Sequence, residues 1–132
     1  EFKNDGVVLS ERVPSDTAFA LSVYTSLFEK ESIKSSTIDS LKTFLCTIKA
    51  EGIQIIAWRP KGSAAMTLIE DSLSGYRENE IRQLVESCGG IWLDTPLPTA
   101  TYDGSHVPIA VAQEFSRNFA FQLKEVLKST HP

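Results

Sequence analysis

No apolar run among the 132 residues approaches the ~20 needed to cross a bilayer, so no membrane span is expected in this chain. Basic residues are in deficit, 13 against 17 acidic, for a net charge of −4. The chain therefore has no cationic footprint for phosphate backbones or anionic membranes, and nucleic acid is not an expected partner. The opening Glu1-Phe2-Lys3-Asn4-Asp5 lacks the basic start and apolar centre of a signal peptide. There are two cysteines, and Cys46 and Cys88 are too far apart in sequence for a zinc or redox motif. Both fall in helical patterns and read as buried free thiols, with a disulfide as the alternative. Internal repeats, low-complexity segments and composition breaks are absent too, so the length implies one domain. Asp71 and Asp94 have no spacing that would make a metal site with His106, and neither metal nor cofactor is expected.

What is present is an alternation of helical and strand-like patterns. Gly6-Val7-Val8-Leu9-Ser10 is a brief strand or loop, and Ser15 or Asp16, after Pro14, is an N-cap candidate. Ala20, Val23, Tyr24, Leu27 and Phe28 then recur at spacings of three and four, which predicts an amphipathic helix. A second helix carries the stripe Ile38, Leu41, Phe44, Leu45 and Ile48. Ser36 and Asp39 approximate its capping box, and Gly52 is suited to its left-handed C-terminus. Ile53-Gln54-Ile55-Ile56-Ala57-Trp58 reads as a strand buried on both faces. Residues 63–75 are ambiguous, with a short helix possible through Ala64, Ala65, Met66, Leu68 and Ile69. Ile81, Leu84, Val85 and Cys88 share a helical face that ends at Gly89-Gly90, and Ile91-Trp92-Leu93-Asp94 is a second buried-type strand. A final helix runs from Ile109 to Lys128.

Helices and strands with short connections predict parallel strands and an α/β layered fold. Trp58 and Trp92 are expected in its core, and Arg59 is expected to pair with a neighbouring acid or to snorkel, the alternative being a carboxylate or phosphate site at the sheet rim. Only two strands can be assigned with assurance, which leaves sheet edges open. Helices would have to cover them, or another part of a longer protein or a second copy would have to complete the sheet.

The chemistry-bearing stretch is Thr101-Tyr102-Asp103-Gly104-Ser105-His106-Val107-Pro108, between the second strand and the last helix. A histidine base needs an acceptor that sets its tautomer and stabilises the imidazolium. An aspartate three residues earlier on a glycine turn can reach the ring with no long-range packing. The plain alternative is a polar turn, since Asp-Gly is a common turn dipeptide.

From about Ser36 to Lys128, the order of elements and the Asp103-Gly104-Ser105-His106 block resemble the C-terminal half of SGNH (GDSL-like) hydrolases and acyltransferases. The resemblance implies a three-layer, flavodoxin-like parallel sheet, present here as a partial domain with few strands. It also implies that His106 is the general base toward a serine and that Asp103 orients it. The expected substrate of the parent protein is then an ester or an acyl-carbohydrate. The family's nucleophile lies in a Gly-Asp-Ser turn, and this tripeptide does not occur here. Ser10 follows a strand-like run but has Glu11-Arg12 after it and no Gly-Asp before it. The resemblance therefore implies an esterase or O-acyltransferase fragment that is inactive without a serine-bearing N-terminal half. The alternative is a non-catalytic interaction domain of the same fold.

Overall fold

The computed structural model describes residues 17–130. The Gly6–Ser10 run, the cap candidates Ser15 and Asp16, and His131 lie outside the described residues. Seven elements follow in order: α1 (Thr17–Lys30), α2 (Ser35–Ala50), β1 (Ile56–Trp58), α3 (Ala64–Leu73), α4 (Glu78–Ser87), β2 (Ile91–Leu93) and α5 (Ile109–Thr130). The ambiguous stretch is thus helical, started by Ser63, whose side chain accepts from the Met66 amide at the first turn. The capping box expected at Ser36 and Asp39 does not form: α2 starts two residues earlier than that box implies, after Lys34, with no side-chain cap.

α2 and α4 end in the same way, and the manner of ending limits the strands. Gly52 adopts φ +83°, its amide bonds to the Lys49 carbonyl, and the Ile53 amide bonds to the Ile48 carbonyl. Gly89, at φ +76°, and Gly90 repeat this with Glu86 and Val85. Both are Schellman closures, which need a left-handed residue that glycine supplies without strain. The Ile53 amide serves the helix end, Ile53 is half exposed, and the strand begins at Ile56. β1 and β2 pair in parallel, Ile56 with Ile91, Ala57 with Trp92 and Trp58 with Leu93.

The three-layer flavodoxin-like sheet expected from the sequence is therefore not formed. Among the described residues the protein is mostly helical, with one two-stranded parallel sheet. The apolar runs give only three paired residues each, and much of the helical surface packs on other helices, α1 on α3 and α2 on α4. Leu45, Ile55, Val85 and Cys88 form the buried cluster, with Leu41, Ile48, Leu84 and Trp92 packed around it. α1 contributes no fully buried side chain.

The reading of Cys46 and Cys88 as free thiols is also corrected, since they form a disulfide. Packing of α2 on α4 brings their Cα atoms to 4.8 Å, within bonding range, across 42 residues of sequence. Trp58 is likewise not core. It is 43% exposed and rests against Phe119 of α5, ring centroids 4.6 Å apart.

Arg59, directly after β1, is buried and reaches three acids: Glu70 at 2.6 Å, Asp71 at 2.8 Å and Glu78 at 3.0 Å. Its guanidinium lies 4.4 Å above the Tyr76 ring. Burial works against its charge, but hydrogen bonds to the three carboxylates outweigh that and hold it protonated. The Thr95 hydroxyl donates to the Arg59 carbonyl at 2.5 Å, tying the segments after the two strands together. This network fixes the carboxyl ends of both strands, where the loop bearing Asp103 and His106 also lies.

Among the described residues no helix is long and apolar enough to cross a membrane. α5 is 22 residues long, but Glu114, Arg117, Lys124, Glu125 and Lys128 interrupt it.

Candidate functional site

The loop before α5 folds on itself. The Tyr102 amide donates to the His106 carbonyl at 2.7 Å, and the Gly104 amide donates to the Thr101 hydroxyl at 3.2 Å. Gly104 takes φ +94°, a left-handed conformation that a side chain at this position would strain. The turn brings the two predicted residues together: His106 Nδ1 lies 2.8 Å from Asp103 Oδ2.

The other carboxylate oxygen of Asp103 is also saturated. Oδ1 accepts from the Ser105 amide at 2.9 Å, the His106 amide at 2.9 Å and the Ser105 hydroxyl at 3.0 Å. Partial burial pushes this carboxyl toward neutrality. Hydrogen bonds from the His106 and Ser105 amides, then from their side chains, prevail and hold it well below its ordinary value of 3.8. Asp103 is therefore ionised, and an ionised carboxylate can only accept. Nδ1 must be the donor, which leaves the lone pair of neutral His106 on Nε2. Among the described residues Nε2 has no hydrogen-bond partner. The Asp103 side chain is 13% exposed and that of His106 60%, so the orienting acid is sheltered and the base faces out.

Ser105 is the residue that sequence reasoning missed. Its hydroxyl stands 3.0 Å from His106 Nδ1, the nitrogen already committed to Asp103. It donates to Asp103 and braces the pair, and it does not lie on the basic side of the ring. The Asp-x-Ser spacing was its available signal, because an aspartate commonly accepts from the backbone two residues on.

A second contact, also unread from sequence, fixes the loop to the body. The Gly104 carbonyl accepts from the Ser63 amide at 2.6 Å, at the start of α3. Gly62 makes this possible: a Cβ there would stand 2.6 Å from the Gly104 carbonyl oxygen. On the α1 side, Leu21 closes over Gly104.

Asp94, directly after β2, pairs with Arg82 and takes no part in the loop. Among the described residues no group of three or more His, Cys, Asp or Glu is placed to hold a metal ion. Comparison with protein-family models, with curated proteins and with solved structures finds no match to this chain.

Proposed function

We propose that Asp103 and His106 are the acid–base half of a serine-hydrolase-type acyl-transfer site, of the kind found in the SGNH hydrolases that the sequence of this loop resembles. The observation that carries the reading is the one-sided ring. Nδ1 is held by an ionised, four-times hydrogen-bonded carboxylate, and Nε2 is open. In such a site Nε2 takes the proton of a hydroxyl as its oxygen attacks an ester carbonyl. The imidazolium, stabilised by Asp103, then returns the proton to the leaving alcohol oxygen. The hydroxyl comes from outside residues 17–130, as part of an N-terminal half or a partner chain, because Ser105 sits on the wrong nitrogen. The reading rests on the loop and not on the fold.

A fluorophosphonate probe, which labels activated serines, tests this. In the protein expressed from its complete reading frame, labelling is expected and is lost in His106→Ala. The 132-residue chain alone is expected to stay unlabelled. Labelling that survives His106→Ala would sink the proposal.

A second reading, a non-catalytic interaction domain, is favoured by Val23 and Leu27 on α1, apolar residues four apart that are exposed by 49% and 45%. Amide exchange separates the two. Strong protection at Ile56–Trp58 and Ile91–Leu93 in the isolated chain supports a self-sufficient interaction domain, and weak protection supports a chain that needs a further segment or partner.

A further inference from the structure

At the carboxyl ends of the two strands a cleft of about 270 Å³ opens beside the dyad loop. Its walls come from four separate stretches: Pro60 after β1, Pro96 and Leu97 after β2, Val107 behind the dyad loop, and Val111 and Phe115 on the first turns of α5. Ser105 also lies on the wall, and its hydroxyl is the group 3.0 Å from His106 Nδ1. Ser105 is thus shared by the cleft wall and the dyad, and it meets the ring at Nδ1.

The chemistry of the walls selects an occupant. Lys61 is the one cationic residue among those lining the cleft, and its ammonium group is already 3.3 Å from Glu78. Glu114 is the one acid. No unengaged positive charge awaits a phosphate or carboxylate, and most of the surface is hydrocarbon. The walls are stiff as well. Prolines line two of the four stretches, and Phe115 is stacked on Phe119, which leans on Trp58. A preformed apolar recess binds a hydrocarbon group with little ordering cost.

We propose that this cleft receives the hydrocarbon part of the ester on which the dyad acts, so that the substrate is an apolar ester and not an acetylated sugar. The word "ester" rests on the dyad reading above; the cleft's preference for hydrocarbon does not. A cavity of about 150 Å³ admits a benzene ring, so this one accommodates roughly ten carbon atoms.

Binding, not turnover, tests it. Methyl butanoate, methyl hexanoate and methyl octanoate are titrated into the ¹³C-methyl-labelled protein, with a mono-acetylated glucoside as the polar ester. Shifts are expected at the methyl groups of Val107, Val111 and Ala112, with affinity rising about fourfold per added methylene. The glucoside is expected to leave these methyls unmoved. Ala112→Phe, which fills the cleft, is expected to weaken methyl octanoate at least tenfold. The chain-length series on the unaltered protein stands whether or not that variant folds. A flat series, shifts confined to α1, or equal binding of the glucoside would overturn the proposal. Failure here beside His106-dependent labelling leaves the dyad reading intact. Graded binding beside labelling that ignores His106 upholds the hydrocarbon site and removes the dyad.

Discussion

His106 Nδ1 and Asp103 Oδ2 stand 2.8 Å apart across a glycine turn, with the aspartate's other oxygen turned to the loop's own amides and hydroxyl. The carboxylate is built into the backbone of the loop, and the ring is hung from it by one nitrogen. The proton of the neutral ring is therefore expected on Nδ1, the tautomer that free histidine favours less. Long-range ¹⁵N NMR of the ring reads this directly. In Asp103→Asn the side chain can present a donor to Nδ1, and the Nε2-protonated form should gain population. An unaltered tautomer in that variant would mean that Asp103 does not orient the ring.

The same carboxylate makes a prediction for acid stability. Its folded-state pKa is depressed below 3.8, so the folded protein holds this proton less tightly than the unfolded chain. The stabilisation is complete above about pH 5 and falls away as pH drops below about 4 toward the folded-state value. Denaturant midpoints measured from pH 6 down to pH 2 should decline less steeply in Asp103→Asn than in the parent. Parallel curves would contradict the depressed carboxyl.

Gly62→Ala places a methyl group against the Gly104 carbonyl, at a separation of 2.6 Å that no Cβ tolerates. The Ser63–Gly104 hydrogen bond and the loop must shift, while Gly62 itself touches no reacting atom. Displacements of about 1 Å can cost on the order of 100-fold in rate. The expected signature is altered amide shifts for residues 101–106 and a large loss of His106-dependent labelling, with far-UV circular dichroism unchanged. A variant with unperturbed loop shifts would show that the loop is not anchored there.

For the Cys46–Cys88 bridge, closing a 42-residue span implies about 4 kcal/mol of stabilisation from chain entropy. Reduction by dithiothreitol, or the double change Cys46→Ser with Cys88→Ser, should lower the urea midpoint to a similar extent. The reductant should then have no further effect on the double variant. Equal midpoints with and without reductant would count against the bridge.

How much of this could be read in the amino-acid order depends on how local the cause is. Apolar spacing of three and four placed four of the five helices of residues 17–130 and left α3 ambiguous, and Gly52 and Gly89 marked two helix ends because only glycine takes that backbone shape cheaply. Asp103 and His106 were legible because three residues and one glycine suffice to bring them together. The strand lengths were not: the use of the Ile53 amide by the end of α2 is invisible to a hydropathy pattern, and the layered sheet fails because only two three-residue strands pair. Nor was the disulfide, since Cys46 meets Cys88 only once α2 has packed on α4. The anchoring of Gly104 by Ser63 depends on the same kind of distant approach, across a gap that only Gly62 leaves open.

The most direct measurement is turnover of a p-nitrophenyl ester by the protein expressed from its complete reading frame, compared with its His106→Ala variant at equal folded concentration. The account predicts a loss in kcat of about 10⁶-fold, the scale on which removing the histidine of such a site acts. Equal turnover in the two proteins would contradict it.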